Sequence, residues 1–194
     1  MRNFARDLVG VIFYPTAFCV RTLERPSLLS GFSVPFILGL TYSVFFTLLA
    51  IGGHQPSNTT GLPFDAETYY HTAAWYMPVL FPALVFLIAG ICHGWSRMNG
   101  QNRAFSLSVH LFGFAYSAPL LLFYVLPDLM VYLVMGHAEL GRFTLFYAPV
   151  AVILVIIRMH NLLVAGLGAS RQAARFVTFL AGVAQAFPAS LLIR

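Results

Sequence analysis

Five apolar stretches dominate the chain, and the segments between them hold nearly every charged residue. A bilayer core about 30 Å thick needs about 20 residues of α-helix to cross it. With 59% apolar and 9% charged residues, the chain has too few charges to cover a water-facing surface. The pattern therefore predicts an all-α, polytopic membrane helical bundle with five transmembrane helices. The predicted spans are residues 31–52, 71–93, 106–126, 143–163 and 172–193.

The whole chain, residues 1–194, is predicted to form a single integral membrane domain. Residues 31–193 would form the five-helix bundle, and residues 1–30 would form a cytoplasmic or interfacial amphipathic segment. The net charge of +5 comes from arginines spread along the chain without a basic run. This distribution favours membrane lipids as partners and disfavours nucleic acid.

Arginine placement predicts how the chain lies across the membrane. If the N-terminus is cytoplasmic, nine of the eleven arginines fall on or near the cytoplasmic side, and only Arg142 and Arg194 fall outside. Loops rich in arginine and lysine are retained in the cytoplasm. Five spans would then place the C-terminus outside.

Two short helices are predicted before the first span. Apolar residues recur at helical spacing from Phe4 to Ile12, and a second helix would cover residues 16–25. Such a segment could lie in the membrane interface and sense or bend the membrane, but we expect it to pack against the cytoplasmic ends of the bundle. The residues that define this interfacial segment are Phe13, Pro15, Phe18, Arg21, Arg25 and Pro26.

The fifth predicted span carries small residues at every fourth position. Small residues let helix backbones approach closely in lipid, where van der Waals contacts and interhelical hydrogen bonds drive association. The row therefore predicts a helix-packing face, first within this bundle, or else toward a second copy or another membrane protein. Its members are Ala174, Thr178, Gly182, Ala186 and Ser190.

Polar residues are predicted to cluster near the cytoplasmic side. His93, His110 and His160 fall at a similar depth, and Arg158 and Asn161 flank the last of them. Two histidines on facing helices would suit a haem and three would suit a metal, but no sequence pattern supports either group. We expect interfacial anchors here, so neither a cofactor nor a metal is predicted.

Prolines lie inside all five predicted spans. Each removes a backbone donor and frees a carbonyl, which usually shapes packing alone. Kinked helices that face one another can also enclose a path, as a transporter or lipid-handling protein requires. Such a path would run between the second and fourth spans. Its lining would be Tyr116, Ser117, His110, Arg158 and Asn161.

The region from residue 127 to 142 is not placed by the sequence. Its apolar patch, residues 129–135, either extends the third span past Pro127 or lies in the outer interface. Asp128 is a candidate proton or cation site, but no acidic residue falls at mid-membrane, so we expect Asp128 to cap a loop.

No enzyme motif occurs, whether His-Glu-x-x-His, Gly-x-Ser-x-Gly or a phosphate loop, so a non-enzymatic protein is predicted. The first hypothesis is a scaffold, adaptor or accessory subunit that acts through helix–helix association with itself or another membrane protein. The transporter or lipid-handling protein is the alternative. A haem- or metal-bearing membrane subunit is a third.

Three segments resemble the Yip domain family of Ypt/Rab-interacting membrane proteins. They are residues 13–26, with two prolines around a short helix, the hairpin and helix at 99–119, and the turn at 167–174. The resemblance implies a five-helix membrane protein that works through association. About 30 residues precede the first span, shorter than in eukaryotic members, which implies a prokaryotic member in the cytoplasmic (inner) membrane.

Overall fold

The computed structural model describes residues 2–56 and 65–192, with side chains over 4–56 and 65–183. Every regular element in this part of the chain is a helix. The all-helical class predicted from the apolar stretches is therefore confirmed. The helices are α1 (Arg2–Phe13), α2 (Pro15–Glu24), α3 (Leu28–Ile51), α4 (Tyr69–Met98), α5 (Phe105–Leu120), α6 (Leu126–Met135), α7 (His137–Leu167) and α8 (Arg171–Leu192).

Four helical segments of the described chain are long and apolar enough to cross a membrane. They are α3, α4, the segment Phe105–Met135 and α7. The predicted count of five is not supported, because α8, which corresponds to the predicted span 172–193, is not among them. Arg171, Gln172 and Arg175 make the start of α8 polar, and its side chains beyond residue 183 lie outside the described ones. The four spans support an integral membrane protein in contact with lipid.

Glycines bring α3 and α5 into backbone contact at the centre of the bundle. Residues 107–119 of α5 are all buried. A Cβ on Gly113 would overlap the carbonyl oxygen of Gly31, and a Cβ on Gly31 would lie 2.5 Å from the carbonyl oxygen of Val109. Side chains at either position would therefore push the two helices apart.

The apolar patch at residues 129–135 extends the third span rather than lying apart from it. A π-helical turn, Leu121–Val125, joins α5 to α6 without a break. Gly136 then reverses the chain with a φ of 87°, a conformation that favours glycine, and α7 begins at the next residue. The region that the sequence left unplaced is thus helical on both sides of Gly136.

The helices α1 and α2 pack on the bundle beside α5. The ring of Phe18 is buried with its centroid 5.4 Å from that of Phe114, and the Phe4 ring lies 5.7 Å from the same side chain. An ion pair joins the two short helices, with Arg21 Nη2 3.2 Å from Asp7 Oδ1. These contacts make the N-terminal segment part of the folded bundle.

Candidate functional site

A cavity of about 990 Å³ lies between α7 and α8. Its floor is formed by buried side chains from the three other long helices, Tyr42 of α3, Phe81 of α4 and Tyr116 of α5. Its rim is exposed, as at Val152 of α7 and Phe179 of α8. The cavity is therefore a groove that opens sideways, toward the lipid that would surround the bundle.

The groove is long enough to take an extended chain. Its lining on α7 runs from Ala148 to Asn161, which is about 20 Å at the α-helical rise of 1.5 Å per residue. One leaflet contributes about 15 Å of the bilayer's hydrocarbon thickness. The groove thus matches the depth of a lipid acyl chain.

Polarity changes along the groove. The middle is lined by Val152, Val155 and other aliphatic side chains, whereas His160, Asn161 and Arg175 gather where α7 ends and α8 begins. No acidic residue lines the groove within the described chain. The site therefore offers an apolar length and a polar, positively charged end.

A smaller pocket of about 310 Å³ adjoins this polar end. It shares His160 and Asn161 with the large cavity and adds Pro15 and Thr16 from α2 and Arg171 from α8. Because the two spaces share this pair of side chains, they lie next to each other. We call the two together the α7–α8 groove, with the smaller pocket as its polar end.

Two buried hydroxyls that line the groove, those of Tyr42 and Thr178, have no hydrogen-bond partner among the described residues. The Thr178 side chain is 95% buried, and its Oγ1 has no hydrogen-bond partner among the described residues. A buried hydroxyl without a partner is unfavourable by about 1–3 kcal/mol.

The predicted helix-packing face divides between two environments. Ala174 is fully buried and packs inside the bundle, whereas Gly182 lines the groove. A Cβ on Gly182 would meet no atom of the described chain within 4 Å. Gly182 therefore makes no close helix contact within this part of the chain. The side chains of Ala186 and Ser190 lie outside the described ones.

The structure also separates the predicted polar cluster. Tyr116, His160 and Asn161 line the groove, but the others do not. His110 Nδ1 accepts a hydrogen bond from the Ser27 backbone N–H over 3.0 Å. His93 packs edge-on against a phenylalanine ring. Ser117 is fully buried, and Arg158 Nε is buried without a partner among the described residues. No group of three His, Cys, Asp or Glu side chains in the described chain could hold a metal ion.

The residues of the interfacial segment also take different positions. Pro15 lies at the polar end of the groove, and Phe18 and Arg21 make the internal contacts given above. Phe13 is 65% exposed, and Arg25 and Pro26 are exposed where α2 ends. Only Pro15 of this set contributes to the candidate site.

Asp128 lies outside the groove, in an environment that the sequence did not indicate. It lies in the first turn of α6 and is 95% buried, so the expected loop cap is wrong. Its Oδ1 accepts hydrogen bonds from the hydroxyls of Thr144 and Tyr147 on α7. The Tyr147 ring packs 6.2 Å from Tyr124, which lines the far end of the groove.

Comparisons with protein families, curated proteins and solved structures found no match. The resemblance to the Yip domain family stays a prediction that rests on the sequence segments alone.

Proposed function

We propose that this protein takes one lipid molecule from the surrounding bilayer into the α7–α8 groove, as a non-enzymatic lipid-handling membrane protein. The observation that carries the proposal is the groove of about 990 Å³, open sideways and apolar along its length. Ligand sites usually have volumes of about 300–1,000 Å³. A cavity of this size within a small bundle is large for a packing defect.

The shape and polarity of the groove both favour an amphiphile over a soluble solute. A water-soluble substrate would need charged or strongly polar groups along its path, but here the arginines, His160 and Asn161 gather at one end, and the rest of the lining is aliphatic or aromatic apart from a few hydroxyls. An acyl chain would bury its apolar length against the aliphatic lining. Its headgroup would meet His160, Asn161 and the arginines of α8.

Arginine placement also predicts which leaflet the polar end of the groove faces. Arg171 and Arg175 belong to the arginines that the sequence predicts on the cytoplasmic side. We therefore propose that the polar end of the groove faces the cytoplasmic leaflet of a prokaryotic inner membrane. With α8 as a fifth span the C-terminus would lie outside, and with four spans both termini would lie in the cytoplasm.

The scaffold or adaptor hypothesis makes a different use of the same surface. Gly182 faces open space in the described chain, so a helix of a second copy or of another membrane protein could pack there. The two hypotheses differ in what occupies the groove, a lipid or a helix. A single substitution separates them.

The test is native mass spectrometry of the protein purified in mild detergent, comparing the wild type with Gly182→Trp. A tryptophan at position 182 would project into the groove and fill much of its middle. The matched control is Gly90→Trp, because Gly90 is exposed on α4 and its Cβ would also meet no described atom within 4 Å. Both variants should fold, since glycine is a poor helix former by about 1 kcal/mol relative to alanine.

We expect the wild type and Gly90→Trp to carry a bound lipid and Gly182→Trp to lose it, with the mass of the protein assembly unchanged. Lipid retained in Gly182→Trp at the wild-type level would contradict the lipid-binding function. If Gly182→Trp instead lost a protein partner or a second copy, the adaptor hypothesis would be correct.

A further inference from the structure

The polar end of the groove lies where two helices begin. Pro15 and Thr16 are the first residues of α2, and Arg171 is the first residue of α8. The first N–H groups of a helix have no partner within that helix, and each helix start carries about half a positive charge. Pro15 has no N–H, and Ser170 caps the start of α8, because its Oγ accepts a hydrogen bond from the Ala173 N–H. Among the residues that line this pocket, Thr16 of α2 and Arg171 of α8 therefore offer first-turn backbone donors.

The side chains at the polar end of the groove are also positively charged. Within the described chain, neither Arg171 nor Arg175 has a carboxylate within ion-pair distance, and no acidic residue lines either space. Helix N-termini together with arginine are the usual means by which proteins bind phosphate groups. The charge of this pocket is thus complementary to an anion.

The neighbouring cavity indicates that the anion would not be a free one. Its lining on α8 continues from Arg175 past Phe179 to Val183. His160 and Asn161 line both the cavity and the polar pocket. A ligand that fills both spaces must have a charged head joined to a long apolar body.

We propose that the ligand is an anionic phospholipid whose phosphate-bearing headgroup lies between the starts of α2 and α8 and whose acyl chain lies in the cavity. This inference rests on the proposed function and adds the headgroup class to it. Arg171 would contact the phosphate directly, and Arg175 would hold the headgroup at the mouth of the cavity.

The experiment titrates detergent-solubilised protein with dioleoyl-phosphatidylglycerol and dioleoyl-phosphatidylcholine, which share their acyl chains, and measures both dissociation constants by native mass spectrometry. Both lipids carry the phosphate, but phosphatidylcholine adds a quaternary ammonium that the two arginines would repel, so we expect the wild type to prefer the anionic lipid by about tenfold. The variant Arg171→Gln/Arg175→Gln should lose that preference and bind the two lipids with similar affinity. The matched control is Arg97→Gln, an exposed arginine in the last turn of α4 that lines neither space.

The outcomes separate this inference from the function on which it rests. Loss of both lipids in Gly182→Trp, with only the preference lost in the arginine variant, supports both. Equal affinities of the wild type for the two lipids would overturn the headgroup assignment and leave the lipid groove intact. In a further experiment, inorganic phosphate is added to the protein with its bound anionic lipid. If phosphate at matched concentration displaces the lipid, the site binds a soluble anion and the inference is overturned.

Discussion

The hydroxyl of Thr144 donates a hydrogen bond to Oδ1 of Asp128 over 2.8 Å and so ties α7 to α6. The hydroxyl of Tyr147 donates to the same oxygen. Asp128 is buried within a membrane-crossing segment, and no cationic side chain of the described chain lies within ion-pair distance of it. Two hydroxyl donors therefore provide the polar contacts that stabilise this acidic group.

A double-mutant cycle on this pair should show direct coupling. Asp128→Ala removes the acceptor that Thr144 and Tyr147 share, and their hydroxyls, 3.1 Å apart, can then bond only each other, so we expect it to lower the free energy of unfolding by about 1–3 kcal/mol. Thr144→Val should lower the free energy of unfolding by less, because the Tyr147 hydroxyl still donates a hydrogen bond to Asp128. The coupling energy should be about 1 kcal/mol, as for other hydrogen bonds between membrane helices. Unfolding of each variant in mixed detergent micelles measures this coupling energy.

The control for this cycle is Thr47→Val. The Thr47 hydroxyl bonds to the carbonyl of Ser43 in its own helix, over 2.8 Å. Thr47→Val should therefore show no coupling to Asp128→Ala. Additive effects of Asp128→Ala and Thr144→Val would contradict the contact between α6 and α7.

The backbone contact between α3 and α5 predicts that a single added methyl group strongly lowers the stability of the protein. Gly113→Ala places a Cβ on the carbonyl oxygen of Gly31, so one helix must shift. We expect Gly113→Ala to lower the free energy of unfolding by about 2 kcal/mol or more, as overpacked cores do. Gly90→Ala, at an exposed position of α4, should be neutral or stabilising by up to about 1 kcal/mol. A neutral Gly113→Ala would show that the two helices are not in backbone contact.

The contact between α3 and α5 also shows which close helix contacts the sequence pattern predicted and which it missed. An unbroken row of small residues drew attention to the last helix, but the closest backbone contacts involve α3, at Gly31 and Gly39. These two glycines lie eight residues apart with Pro35 between them, a spacing that sequence reasoning could have recognised. Spacing alone cannot tell which small face meets a neighbour, because that depends on how the helices are arranged.

The thiol of Cys19 reports whether α2 stays packed on the bundle. Burial raises the pKa of Cys19, and the nearby Arg103 guanidinium opposes this rise. Since the thiolate is the reactive form, a raised pKa and a buried sulfur both slow alkylation at neutral pH. We expect labelling by N-ethylmaleimide, measured by mass spectrometry in a Cys92→Ser background, to be slow and to accelerate as the pH rises toward the raised pKa.

The control for the labelling rate of Cys19 is a cysteine placed at the neighbouring position, residue 20. Val20 is 52% exposed, so Val20→Cys in a protein without Cys19 and Cys92 should label faster at every pH. Equal rates at both positions would mean that α2 leaves the bundle, as the membrane-interface alternative requires.

Other parts of the structure follow from the sequence to different degrees. Long apolar runs require helices in lipid, so α3, α4 and α7 could be predicted from hydropathy alone. The continuation through Leu121–Val125 was one of two alternatives that the sequence left open, because hydropathy alone does not show whether a helix continues past Pro127. The groove was not foreseeable as a whole. Tyr116 and Asn161 were among the residues predicted to line a path, but Arg175 and Thr178 join them only through the position of α8.

Photolabelling is the most direct test of the lipid-filled groove. A phosphatidylglycerol with a diazirine on its acyl chain is added to the protein in nanodiscs, irradiated, and the adducts are mapped by mass spectrometry. Lipid in the groove should label residues on its buried floor, such as Tyr116, Val155 and Thr178, which are at most 5% exposed. Adducts confined to outward-facing side chains such as Ile153 and Trp75, with none on that floor, would contradict the account.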